Sequence, residues 1–167
     1  LGVVFVLGGW WGLLPALMFE SRLKFEKIRS FDMDESCAPV ADTWNRPYVM
    51  DGWRFKASTA DMLALDLELT HYSTNRADGS SLWLWDVPDT LINTSCEHLA
   101  DFGAWWRRVP PGKLVVLQSN DFTAGKGHVG CVESLAEFAA QAPLSRTLLS
   151  AELETQNYKR FMRIGYR

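Results

Sequence analysis

Three stretches of the chain carry side chains or glycines whose types and spacing can do chemistry. In PDTLINTSCEHL, Asn93, Glu97 and His98 set an amide, a carboxylate and an imidazole close together. VVLQSND runs on through FTAGKGHVGC and adds Asn120, Asp121, His128 and Cys131. A carboxylate beside an imidazole is a pairing that takes a proton from a hydroxyl or an amine. The same segments can be read as a metal set, because Cys96-x-His98 and His128-x-x-Cys131 offer the four soft or borderline ligands that structural zinc takes. We expect no metal: residues two apart at a strand end need not converge, and Glu97 would have to point away. In the third stretch, VVFVLGGWWGLLP, Gly8, Gly9 and Gly12 follow a β-branched run, with Trp10 and Trp11 among them. Glycines after a strand let a bound group lie against backbone that a Cβ would screen. Acids follow at Asp32, beside Met33, and at Asp61, beside Met62.

The elements that must position these residues alternate. Short apolar runs give way to helical stretches, the pattern of a parallel sheet with helices on both faces. We expect strands at 3–7, 27–31, 54–58, 90–93 and 113–119 and helices at 13–23, 38–44, 99–109 and 134–141. Residues 61–67 read as a short helix or turn. Ser134 and Glu137 have capping-box spacing. The last two strands, 147–153 and 159–165, are joined by too few residues for a helical crossover and must pair antiparallel. HYSTNRADGSS, residues 71–81, is polar and glycine-containing and reads as an exposed loop. The stretch 122–131 reads as a mobile loop.

The chain has 167 residues, 47% of them hydrophobic and 22% charged, which suits one domain able to bury a core without metal or disulfide staples. Seventeen basic against twenty acidic residues leave a net charge of −3 with no basic block, which argues against a dedicated nucleic-acid binder. Three cysteines, Cys37, Cys96 and Cys131, are too few and too far apart for a disulfide framework, and reduced thiols place the protein in the cytoplasm. Leu1 to Phe19 has no charge before Glu20 and meets the length rule for a membrane span, but its split into β-branched run, glycine cluster and LLPALMF favours strand, loop and helix. The chain opens without Met directly on a core strand, as a chain lacking upstream residues would.

This order of elements, with the four segments VVFVLGGWWGLLP, IRSFDMDESC, FKASTADML and PDTLINTSCEHL, resembles the class I S-adenosylmethionine-dependent methyltransferases. The resemblance covers nearly the whole chain and implies a Rossmann-like, mostly parallel seven-stranded sheet with a C-terminal antiparallel hairpin. It implies S-adenosylmethionine as cofactor, bound by Gly8, Gly9, Trp10, Gly12, Asp32, Met33, Asp61 and Met62. Asp32 would accept from the ribose hydroxyls, and Asp61 from the adenine amino group. Asn93, Glu97 and His98 would face a small or medium-sized acceptor, and no stretch is left over for a separate substrate domain. Two departures stand out: Val6 occupies the family's acidic position, and Trp10 the middle glycine. They keep open a protein that binds the cofactor without methyl transfer. The acid after the second strand also keeps open a nicotinamide-dependent oxidoreductase, because NAD enzymes use the same device.

Overall fold

The structure, a computed structural model, describes all 167 residues. Its elements are β1 (Val3–Leu7), α1 (Leu13–Phe19), β2 (Lys27–Asp32), α2 (Cys37–Trp44), α3 (Arg46–Met50), β3 (Phe55–Thr59), β4 (Thr70–Asn75), β5 (Ser81–Asp86), β6 (Thr90–Asn93), α4 (Phe102–Arg108), β7 (Leu114–Asn120), α5 (Leu135–Gln141), β8 (Arg146–Glu154) and β9 (Lys159–Tyr166). Seven strands form one sheet in the order β3-β2-β1-β6-β7-β9-β8, and β4 with β5 forms a second, two-stranded sheet. The chain divides into two compact units, Leu1–Leu91 and Ile92–Arg167.

In the first unit β1 pairs parallel with β2 and β2 with β3. All five residues of β1 are buried, which is why it reads as an unbroken apolar run rather than an alternating one. Helix α1 stops at Phe19, short of the expected Leu23. Ser21 turns the chain there, its Oγ donating to the Met18 carbonyl at 2.7 Å and accepting from the Leu23 amide at 3.1 Å. The first nineteen residues thus form a strand, a loop and a seven-residue helix, and no helix in the chain is long and apolar enough to cross a membrane.

The polar segment expected to be a loop is instead the antiparallel hairpin of β4 and β5. Thr70, Tyr72 and Thr74 of β4 are buried and alternate with exposed His71, Ser73 and Asn75. The turn carries Gly79 at φ 81°. Inward hydroxyls are tolerated because each is paired: Thr74 Oγ1 donates to the Ala57 carbonyl at 3.1 Å, and the Tyr72 hydroxyl to Asp86 Oδ2 at 2.6 Å. Asp86 also meets Lys27 Nζ at 2.6 Å and Arg29 Nε at 2.8 Å, so two cations and a phenol converge on one buried carboxylate.

In the second unit β7 pairs antiparallel with β9, and β9 with β8, closing the expected hairpin. The outermost strand β8 is exposed at nearly every residue and carries an irregularity between Thr147 and Leu149. Helix α4 begins at Phe102 rather than Leu99, where Asp101 Oδ1 accepts from the Ala104 amide at 2.7 Å; Cys96–His98 form a 3-10 turn before it. Phe102, Trp105, Trp106 and Phe138 are buried; of the four tryptophans whose places in the sequence suggest packing, Trp105 and Trp106 are core, whereas Trp83 and Trp85 are exposed because they lie on the outward face of β5. Ser134 caps α5 as its spacing predicts, accepting from the Glu137 amide at 3.1 Å, while the Glu137 carboxylate reaches back one residue further, to the Glu133 amide. At the other end of α5, Arg163 Nη1 donates to the carbonyls of Ala139 and Ala142, which a helix C-terminus leaves unpaired.

Candidate functional site

In the first unit the loop after β1 is stitched to the tip of β2. The amides of Gly8 and Gly9 both donate to the Phe31 carbonyl, at 2.9 and 3.0 Å. A Cβ on Gly9 would stand 1.9 Å from Ser30 Oγ, so a larger residue here would have to turn the Ser30 hydroxyl away while the loop lies this close to β2. Trp10, where the family pattern has its middle glycine, takes a left-handed backbone at φ 49°. Its amide donates to Asp32 Oδ2 at 2.9 Å, and that bond holds the residue in a conformation costing an L side chain about 1–2 kcal/mol. The indoles of Trp10 and Trp11 stack with centroids 4.7 Å apart and stand 63% and 51% exposed, so neither is a core residue.

Asp32 ends β2 and is half-buried. Its second oxygen, Oδ1, accepts from the Asp34 amide at 3.0 Å. Each oxygen therefore keeps a lone pair free of the backbone. Met33 beside it is exposed. Asp61 lies beyond β3, exposed, with Oδ1 accepting from the Leu63 amide at 2.8 Å in a local turn; Met62 is half-buried. The tips of β2 and β3 are tied by the Ala60 amide donating to the Asp32 carbonyl at 2.9 Å. Val6, at the family's acidic position, is buried within β1 and brings no charge to the loop. Asn45 carries no sequence signal of its own. Its buried Nδ2 donates to the Gly12 carbonyl at 3.0 Å and the Ala41 carbonyl at 2.9 Å, fastening the loop's far end to α2.

In the second unit the tips of β6 and β7 bring a second cluster together. Asn93 is fully buried, and its Oδ1 accepts from the Ser95 amide at 2.9 Å, which turns the chain into the 3-10 turn. Glu97 in that turn is 5% exposed, and its Oε2 has no hydrogen-bond partner. The stretch 122–131, expected to be mobile, is fastened along its length. The amides of Val129 and Gly130 donate to the Glu97 carbonyl at 3.0 and 2.8 Å, and the buried Asn120 Oδ1 accepts from the Phe122 amide at 2.9 Å. Gly130 is required here, since a Cβ would lie 2.2 Å from the Leu99 carbonyl oxygen.

That fastening sets His98 against His128, with ring centroids 4.8 Å apart and planes near perpendicular. His98 Nδ1 lies 2.9 Å from the Gly127 carbonyl and His128 Nδ1 2.7 Å from the Phe122 carbonyl. A carbonyl only accepts, so each Nδ1 carries a proton, and in the neutral ring Nε2 is the nitrogen with the lone pair. The four-member set Cys96, His98, His128 and Cys131 does not assemble. The ligand-capable atoms within 4.8 Å of one another belong to Glu97, His98 and His128. Cys96 is buried with its thiol donating to the Asn93 carbonyl, and Cys131 lies on the Nδ1 side of His128, 3.8 Å away. Burial first, and then the Glu97 charge, raise both thiols above the ordinary cysteine value, so neither is a thiolate at neutral pH. All three cysteines are free.

No protein-family model matches the chain, and no curated protein matches it in sequence. Solved structures do match its fold. The YcgJ protein of Bacillus subtilis has a TM-score of 0.63 at 11% identity, over 99% of this chain and 91% of that one. The N-methyltransferase NodS of Bradyrhizobium japonicum has a TM-score of 0.59 at 13% identity, over 99% and 86%. Magnesium protoporphyrin IX methyltransferase (ChlM) of Synechocystis, solved with bound SAH, has a TM-score of 0.63 at 12% identity, over 99% and 73%. With the strand order and the closing antiparallel hairpin, these likenesses show that the chain has the class I methyltransferase fold.

Proposed function

We propose that the protein is an S-adenosylmethionine-dependent methyltransferase that acts on a hydroxyl or amine of a small molecule. The observation that carries this reading is the loop after β1. It is bonded to the end of β2 with the Asp32 carboxylate on its own amide, in a fold shared with structures that hold the cofactor or its product. The residues present suit that cofactor: Gly9, without a Cβ, leaves the loop backbone open beside β2, and Asp32 keeps one lone pair on each oxygen for a ribose diol. Asp61, with one oxygen outside its turn, is the acceptor for the adenine amino group. At Val6 no carboxylate meets the methionine amine, so the chain relies on its other contacts there.

Bound, the cofactor supplies an electrophilic methyl group on a sulfonium. What the chain adds is alignment and a proton acceptor. Glu97 takes the acceptor's proton at Oε2, the oxygen without a partner. His98, its Nδ1 fixed on the Gly127 carbonyl, presents Nε2 as the neighbouring base. Asn93 shapes the turn that carries them.

Calorimetry with S-adenosylhomocysteine tests the reading. Asp32→Ala is expected to weaken binding by about 1.5–3 kcal/mol, roughly 10- to 150-fold in Kd, because a charge-assisted acceptor is lost. Unchanged affinity removes the ribose assignment, and binding of NAD(H) in its place removes the methyltransferase reading. Product analysis then separates a methylated acceptor from methylthioadenosine or no product.

Trp10→Gly is expected to keep cofactor affinity and to change stability by less than about 1 kcal/mol. Relief of the left-handed strain is offset by glycine's larger unfolded-state entropy and the lost indole stack. Thermal unfolding and the same calorimetry check it; complete loss of binding would make the indole itself a contact.

A further inference from the structure

We propose that Glu97, His98 and His128 form a three-ligand site for a divalent transition metal of the zinc type, with a coordination position left open for water or a ligand heteroatom. The site lies wholly within the second unit and stands whether or not the protein transfers methyl groups. Three observations converge on it. The ligand-capable atoms of the three side chains already lie within 4.8 Å of one another. Glu97 is 95% buried, with an oxygen that finds no partner among the surrounding residues, and a buried carboxylate oxygen left unpaired is costly unless a cation meets it. Both histidines hold their Nδ1 on backbone carbonyls, which leaves Nε2 as the nitrogen available to a metal. That outer hydrogen bond is what metal-bound histidines almost always make.

The backbone holds the three in place. The Glu97 carbonyl accepts from Val129 and Gly130, so the residues flanking His128 are tied to the turn that carries Glu97 and His98. Two neutral imidazoles and one carboxylate give a donor set suited to zinc or ferrous iron, and three protein ligands leave the geometry open rather than closed. Cys131 is excluded as fourth ligand because it sits on the protonated Nδ1 side of His128. Cys96 is excluded because its thiol is engaged by the Asn93 carbonyl. With the cation bound, Glu97 and His98 would be ligands rather than bases, and the cation would supply Lewis acidity at the open position, where a bound hydroxyl would yield its proton to bulk water.

Zinc chloride titrated into the full chain against a chromophoric chelator tests the site. The expected result is one zinc per chain, with binding more than about 100-fold weaker in His98→Asn and in His128→Asn, beyond the 10- to 100-fold that loss of a supporting hydrogen bond costs. Cys131→Ser retains the affinity. Cobalt in place of zinc is expected to show visible d–d bands and no thiolate-to-cobalt charge transfer. Near-UV circular dichroism verifies the fold of each variant, and His128→Ala replaces His128→Asn if the latter does not fold. Substoichiometric zinc, binding that survives both histidine changes, or binding lost in Cys131→Ser overturns the proposal. Failure of the methyltransferase reading shows separately, as absent S-adenosylhomocysteine binding with zinc still held.

Discussion

Asp86→Asn lowers stability by about 3–5 kcal/mol and the thermal midpoint by roughly 6–20 °C, because it strips a buried cation of its counter-charge. Arg29 is almost wholly buried and meets the Asp86 carboxylate at 2.8 Å, with Lys27 on the other oxygen and the Tyr72 hydroxyl alongside. A neutral amide keeps the shape and one acceptor oxygen, but leaves the desolvated Arg29 guanidinium without an anion, facing only neutral acceptors such as the carbonyls of Trp53 and Ile28. The pH dependence has a definite sign. Burial raises the Asp86 carboxyl, but Lys27, Tyr72 and Arg29 together outweigh it and hold it below the ordinary aspartate value. A depressed folded-state value means the carboxylate's contribution is complete above the unfolded value, near pH 4, and is lost as pH falls through the folded value. Acid titrations followed by circular dichroism should therefore show the native chain's advantage over Asp86→Asn shrinking below about pH 4. An advantage independent of pH, or a variant as stable as the native chain at pH 7, would show that the carboxylate's charge is not what holds this cluster.

Glu97→Gln carries the second large effect: turnover falls by about 10²–10⁴-fold, the usual worth of a positioned proton acceptor, while S-adenosylhomocysteine affinity is unchanged. Gln is close to Glu in shape, and the turn is held by the Glu97 backbone carbonyl rather than its side chain, so the fold survives the change. Steady-state rates on an accepted substrate, beside calorimetry on the same preparation, read the two quantities independently. A variant that turns over at the native rate removes Glu97 from the reaction. Lost turnover with native zinc content places Glu97 in proton transfer, and lost turnover with lost zinc places it in the metal site.

The parts of the fold legible in the sequence are those whose side chains report burial directly. β1 and β6 fall where expected because every residue in each is buried. The hairpin of β4 and β5 was hidden because its inward face uses Thr70, Tyr72 and Thr74, whose hydroxyls make the segment look like a loop; only the period-two alternation, continued in SLWLWD, could have disclosed it. The loop after β1 was legible from Gly8, Gly9 and Gly12, whereas Trp10 concealed the continuation of the pattern, since its backbone is set by a hydrogen bond to Asp32 rather than by its residue type. The second cluster was half legible. Its members were visible as letters beyond two strand ends, but His128 joins Glu97 through loop bonds that no local spacing encodes, and Cys96, which the Cys96-x-His98 spacing offered as a ligand in the disfavoured metal reading, turned inward.

The seven-stranded sheet ends on two ribbons that meet water differently, and this bears on how the protein behaves when concentrated. On β3 the outward amide and carbonyl of Ala57 are each taken by a side chain, the amide by Asp42 Oδ1 at 2.9 Å and the carbonyl by Thr74 Oγ1 at 3.1 Å. That border offers a newcomer strand few unpaired groups at its centre. β8 has no such stoppers and carries exposed Leu148, Leu149 and Leu153, the makings of a template for intermolecular pairing. What blunts it is the kink between Thr147 and Leu149 together with the charges of Arg146, Glu154 and Glu152, the last paired with Lys159 Nζ of β9 at 2.8 Å. Colloidal behaviour therefore rests on a few gatekeepers at this one border, and neutralising Glu152 and Glu154 would leave a hydrophobic edge free to recruit its own kind.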